Sequence, residues 1–246
     1  MTPEFGSPAT AIVTGGARRL GAAMARALCE DGWHVLIHCH RSREEAGALA
    51  GELGEASVVA ADLAGADAAE TVMAALDGLP PPRLLVNNAS RYVGDDIDSF
   101  TVEDWDLHHR VNARAPVLLA RAFAKALAGA NGLIVNITDA GLAAPDAGYF
   151  SYTASKMAFA GAAELLARYL AARKVRVCAI APAMTLIDET PGAAFRRNPL
   201  GREIVPAHLV AALRFIVATP TLAGETIAVD AGRRLLDGES GKGGQA

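Results

Sequence analysis

Residues 9–42, ATAIVTGGARRLGAAMARALCEDGWHVLIHCHRS, place a short apolar run before a glycine-bearing turn, an alanine-rich stretch of helical period and a second apolar run. Strand, turn, helix and strand in that order make one βαβ unit. The pattern continues along the chain. TAIVT, WHVLIHC, ASVVAAD, RLLVNN, LIVNIT, VRVCAIA and TIAVD are strand candidates, and most are separated by a helical stretch. That alternation predicts an α/β fold: a single-domain, Rossmann-type, doubly wound parallel sheet of seven strands with helices on both faces. Right-handed crossovers give the order 3-2-1-4-5-6-7, with a ligand crevice at the carboxyl ends of the first and fourth strands, where the order reverses.

A single domain is expected over residues 10–237, after a flexible N-terminus at 1–9 and before a disordered Gly-rich tail, GESGKGGQA, at 238–246. The stretch 183–206, rich in Pro, Gly and charge between two regular elements, is a candidate lid over a substrate. No signal peptide is visible in MTPEFGSPAT, so a cytoplasmic location is expected. Although 52% of residues are hydrophobic, the apolar runs are broken by Gly or charge before reaching the roughly 18 residues of a membrane span. A net charge of −4 argues against a nucleic-acid partner. Cys29, Cys39 and Cys178 lack metal-site spacing, and His108 and His109 have no evident third ligand, so no metal is expected.

Tyr152 and Lys156 stand four apart at the start of YTASKMAFAGAAELLARYL, which puts both on one face of a helix near its first turns. An ammonium within hydrogen-bonding range favours phenolate over phenol and is expected to lower the tyrosine pKa, preparing a proton donor. Taken alone, the pair could be a surface Tyr and a solvated Lys. Gly15, Gly16 and Gly21 supply a tight turn and a close backbone approach, and the helix opening near Arg19 aims free N–H groups at a phosphate.

TGGARRLG at 14–21, NNAS at 87–90, Asn112 in its long helix, YTASK at 152–156 and AGETIAVDAG near the C-terminus together resemble the short-chain dehydrogenase/reductase family over nearly the whole chain. Three departures from its common pattern are similar to the pteridine reductase and dihydromonapterin reductase branch: Arg19 in place of a Gly, Asp139 in place of the usual Ser, and Ser90, Arg91 and Tyr92 after the NNA triplet. His40, Arg41 and Ser42, and the segment DAGRRL at 230–235, are similar to that branch as well.

The resemblance implies a catalytic set of Asp139, Tyr152, Lys156 and Asn112, with Asn112 expected to kink its helix and hold a relay water, or else simply to make a local hydrogen bond. It implies cofactor contacts at Gly15, Arg18, Arg19, Leu20, His40, Arg41, Ser42, Asp62, Leu63, Asn88, Ala89, Ser90, Tyr152 and Lys156. Asp62 could equally cap a helix. NADPH is the implied cofactor, because Arg41 stands where NAD enzymes carry an acid; the site is expected to offer an anion positive charge and no repelling carboxylate. Substrate contacts are implied at Ser90, Tyr92, Asp139, Tyr152 and Leu186, with Tyr92 stacking on a pterin. An ionised Asp139 would repel a developing alkoxide but suits a ring presenting N–H groups, favouring C=N over C=O. The expected activity is reduction of a dihydropterin of the dihydrobiopterin, dihydromonapterin or dihydrofolate type. The alternative is a short-chain carbonyl reductase acting on a ketone or 3-oxoacyl substrate, for which a protonated Asp139 could donate. The family commonly forms homotetramers, and this too is carried as implied.

Overall fold

The computed structural model describes residues 4–183 and 198–235. The chain alternates strand and helix from its start: β1 (Thr10–Val13), α1 (Arg19–Glu30), β2 (His34–Cys39), α2 (Arg43–Leu53), β3 (Ala56–Ala60), α3 (Ala68–Ala74) and β4 (Pro82–Asn87). After a long connection come α4 (Val102–His109), a π turn (Arg110–Arg114), α5 (Ala115–Ala126), β5 (Gly132–Ile137), α6 (Phe150–Ala171), β6 (Val175–Pro182), α7 (Pro206–Ala218) and β7 (Thr226–Val229). The seven strands form one parallel sheet in the order β3-β2-β1-β4-β5-β6-β7, as the alternating pattern predicts.

Successive strand residues point to opposite faces, and both faces are apolar because helices cover both. Val13, Ile37, Val86, Val135 and Ile180 pack with Met24, Leu28, Leu49, Leu209 and Leu213 on one side. Ile12, Leu36, Leu85, Ile134 and Val177 pack with Val72, Leu119, Phe123 and Leu170 on the other. Pro82, which has no N–H to give the ladder, lies where the β1–β4 register shifts, beside Thr10. The strands themselves run unbroken beyond it.

Within the segment 1–9, expected to be flexible, Glu4 and Phe5 have partners in the body of the domain. Phe5 is buried against Trp33, and Glu4 pairs with Arg176, whose guanidinium also donates to the carbonyls of Ile216 and Leu222. Most of the 183–206 stretch, with Leu186, and the tail at 238–246 lie outside the described residues. No helix among the described residues is long and apolar enough to cross a membrane.

Candidate active site

The crevice begins at the turn after β1. Gly15 has φ +60°, a left-handed conformation that disfavours a side chain, and a Cβ there would stand 3.1 Å from the Cα of Ala89. A Cβ on Gly21 would collide with the Gly15 carbonyl oxygen. The turn is braced from β4: Asn88 donates from Nδ2 to the carbonyls of Thr14 (2.9 Å) and Gly15 (3.2 Å), while Thr14 Oγ1 accepts from the N–H groups of Asn88 and Ala89. The α1 N-terminus opens beside this turn, and its N-cap residue, Arg18, makes no side-chain cap bond, which suits the helix end to an anion. Arg19 holds φ +54° at a position where Gly is conformationally easier, a local strain of the kind that gathers at functional sites.

Arg18, Arg19, His40 and Arg41 are all exposed at this edge, with Ser42 partly covered at the start of α2. Among the described residues Arg41 makes no ion pair. The edge is not free of carboxylates, contrary to the sequence-based expectation: Glu45 lies 3.4 Å from Arg18, and Asp62 lies 3.9 Å from His40. Both pairs are solvent-exposed and so contribute little to stability. Asp62 does not cap α3, whose N-cap is Asp67; its Oδ1 closes a turn by accepting from Ala64 N–H at 2.9 Å. The side chains of Leu20 and Leu63 are buried in the two cores.

Asp139, Tyr152 and Lys156 converge at the carboxyl end of β5. Tyr152 donates its hydroxyl to Asp139 Oδ2 at 2.5 Å, the short separation of a charge-assisted O–H···O bond. The other carboxylate oxygen accepts from Gly141 N–H at 2.6 Å, which fixes its orientation through the 3-10 turn Ala140–Ala143. Lys156, 3% exposed, donates to the carbonyl of Ile137 at 2.9 Å, and its Nζ lies 5.9 Å from the Tyr152 ring centroid. The electrostatics therefore run opposite to the expectation from spacing. Burial and the facing Asp139 carboxylate push the Tyr152 pKa up, because both disfavour phenolate. Burial pulls the Lys156 ammonium down to about 8, with Asp139 opposing the shift.

Asn112 occupies the π turn that interrupts the predicted long helix, and such turns recur at functional sites. Its Oδ1 accepts from Arg91 N–H (2.7 Å) and Ser90 Oγ (3.2 Å), and its Nδ2 donates to the Arg91 carbonyl and to Ser155 Oγ, each at 2.9 Å. These four bonds use the whole capacity of the amide, so its side chain has none left for a relay water. What Asn112 does here is bind the segment bearing Ser90 and Tyr92 to α6.

Two residues that sequence reasoning did not single out complete the arrangement. Asp95 reaches the start of α6: its carbonyl accepts from Phe150 N–H at 3.0 Å and its Oδ1 from Ser151 N–H at 2.9 Å. It caps, from 56 residues away, the helix turn that carries Tyr152. Tyr149 stacks on Tyr92, with centroids 4.6 Å apart and planes 9° from parallel, while Tyr92 meets Tyr152 edge-on at 4.7 Å. Tyr149 is the N-cap of α6, with a non-helical backbone at φ −136°, so helical spacing gives no sign of it, and its one signal in the sequence is its nearness to Tyr152. Tyr92 remains 52% exposed, an aromatic face at the mouth of the site.

The site is thus a phenol, a carboxylate and a buried ammonium under an aromatic wall, beside a glycine turn at a helix N-terminus. The chain belongs to the short chain dehydrogenase family, which matches residues 9–195. It is 38% identical to the FolM alternative dihydrofolate reductase 1 of Brucella suis, whose structure was solved in complex with NADP; the TM-score is 0.85, covering 93% of this chain and 96% of the other. Pteridine reductase 1 of Leishmania tarentolae is 31% identical, over 96% of this chain and 99% of that protein. A 3-oxoacyl-[acyl-carrier-protein] reductase of Synechocystis is also 31% identical, over 90% of this chain and 95% of its own. The protein is an oxidoreductase of that family.

Proposed function

We propose that the protein is an NADPH-dependent reductase that reduces a C=N bond of a dihydropterin. The observation that carries this reading is the Asp139 carboxylate in hydrogen-bond contact with the Tyr152 hydroxyl, 2.5 Å away. A carboxylate there accepts N–H groups from a pterin ring and opposes the negative oxygen that develops when a ketone is reduced. Similarity to FolM and to pteridine reductase 1 supports the same substrate class.

The residues at the Gly15 turn fit a dinucleotide: close backbone approach is permitted by glycine, and the α1 N-terminus with Arg18, Arg19 and Arg41 suits its phosphates. Bound NADPH supplies the hydride, delivered to C6. Lys156 holds the nicotinamide ribose, Ser90 bonds the pterin and the cofactor phosphate, and Tyr92 covers the pterin face. Tyr152 and Asp139 pass the proton to N5 with water. Leu186 and the 183–206 stretch are assigned to the substrate side. A homotetramer in the cytoplasm completes the proposal; the oligomer is supported by apolar residues on α6, where Leu165 is 69% and Tyr169 64% exposed.

Similarity to a 3-oxoacyl reductase favours a second reading, reduction of a 3-oxoacyl or simple ketone substrate. One assay separates them: NADPH oxidation followed against a panel of dihydropterins, quinones and β-keto esters. Turnover of β-keto esters with none of dihydropterins refutes the pterin assignment.

A further inference from the structure

His38, the penultimate residue of β2, belongs to none of the groups discussed above, yet one imidazole joins the ends of three strands. It is 2% exposed. Its Nδ1 lies 3.2 Å from Gly15 N, at the turn after β1, and its Nε2 lies 3.1 Å from the Ala61 carbonyl oxygen, just beyond β3. The His38 carbonyl takes a further bond from Gly16 N–H at 2.9 Å.

The partners determine the protonation. A carbonyl oxygen can only accept, so Nε2 carries the hydrogen; a backbone N–H can only donate, so Nδ1 presents its lone pair. The ring is neutral in one tautomer. A proton on Nδ1 would set donor against donor at Gly15. Burial keeps it off, holding the His38 pKa down to about 4, with His40 adding to the shift and the Ala61 bond opposing it. On the opposite side of the same peptide, which joins Thr14 to Gly15, Asn88 donates to the Thr14 carbonyl at 2.9 Å. The peptide is gripped at both its N–H and its C=O.

We propose that His38 is a positioning residue for the dinucleotide site: its neutral imidazole clamps the turns after β1 and β3 together and fixes the Gly15 peptide in the orientation that the cofactor meets. The inference rests on the assignment of that turn to dinucleotide binding. The clamp lies behind the turn and acts through Gly15, so His38 itself need touch no ligand.

Two substitutions separate the halves of the clamp. In His38→Asn the amide oxygen can stand in for Nδ1 and keep Gly15 satisfied, whereas in His38→Gln the amide nitrogen can stand in for Nε2 and keep only the Ala61 bond. Leaving a buried donor unpaired costs about 1 to 3 kcal/mol, roughly 5- to 150-fold in an equilibrium. NADPH dissociation constants from fluorescence titration of the full chain should therefore stay within a few-fold of wild type in His38→Asn and rise roughly tenfold or more in His38→Gln. Amide hydrogen exchange at Gly15, measured without cofactor, should be slow in the wild type and in His38→Asn and fast in His38→Gln. The wild-type ring should show by nitrogen-15 NMR a hydrogen on Nε2 and no titration between pH 5.5 and 8.

Equal weakening in both variants, tracking only their loss of thermal stability, would reduce His38 to a packing residue and overturn the proposal, as would a hydrogen on Nδ1. A wild type that binds no dinucleotide would overturn the underlying assignment of the turn. In that case slow, His38-dependent exchange at Gly15 would still identify the clamp as a structural one.

Discussion

Converting Asp139 to Ser replaces the carboxylate facing Tyr152 with a neutral hydroxyl, and the geometry gives the consequence a size. A charge-assisted hydrogen bond such as the 2.5 Å contact between Tyr152 and Asp139 is worth about 1.5 to 3 kcal/mol, or roughly 10- to 150-fold in a rate or equilibrium constant. If the carboxylate binds pterin N–H groups and relays the proton, kcat/KM for a dihydropterin should fall by about that factor. Activity on a β-keto ester should hold or increase, because no negative group opposes the developing alkoxide. A second effect has a definite sign. Asp139 favours the charged form of Lys156, whose pKa burial has already lowered to about 8. Activity that needs the ammonium declines as pH rises through that value, and removing the carboxylate makes the decline begin at lower pH. The assay is kcat/KM from pH 6 to 9.5 on both substrate classes, for wild type and variant. An unchanged dihydropterin rate, or an alkaline limb that moves upward, would refute the reasoning.

Tyr152→Phe removes one hydroxyl and should lower turnover by about 10²- to 10⁴-fold with NADPH affinity nearly unchanged, measured by steady-state kinetics beside fluorescence titration. Arg41→Ala should raise KM for NADPH far more than for NADH, since only NADPH has the 2′-phosphate; equal weakening would make Arg41 structural. Asp95→Ala strips the side-chain acceptor from the α6 N-terminus and should cost about 1 kcal/mol in denaturant unfolding together with a fall in kcat, because the turn it caps carries Tyr152. Arg176→Ala leaves Glu4 partly buried without its partner and frees two carbonyls, so it should destabilise by about 3 kcal/mol while activity per folded molecule is retained.

The sheet order was readable because it follows from strand alternation and the handedness of crossovers, neither of which needs side-chain detail. Gly15 and Gly21, like the Tyr152–Lys156 pair, could also be read directly, since backbone approach and helical spacing are local properties. Asp95 could not. It acts on Ser151 across 56 residues, and an Asp in a polar loop has no local mark of that partner. His38 was hidden for a similar reason: inside an apolar strand it resembles any core histidine until the ends of β1 and β3 are placed on either side of it. The direction of the Tyr152 shift was missed because sequence spacing supplied Lys156 as the neighbour. Burial and the 2.5 Å contact with Asp139 outweigh an ammonium whose own hydrogen bond goes to Ile137.

That reversal bears on what kind of substrate can use the site. A phenol whose pKa is pushed up is a reluctant acid, and here Asp139 is one of the groups that pushes it. A ligand that offers N–H donors to the carboxylate competes with the tyrosine for it, stabilises its charge elsewhere and so lessens its hold on the phenolic proton. Binding the right ring would then strengthen the acid at the moment the proton is required. A simple ketone has no donor to offer Asp139 and would leave Tyr152 as it stands. Recognition of the ring and activation of the proton donor thereby fall to one carboxylate, which is why its replacement by the smaller neutral Ser should separate the two substrate classes rather than slow both alike.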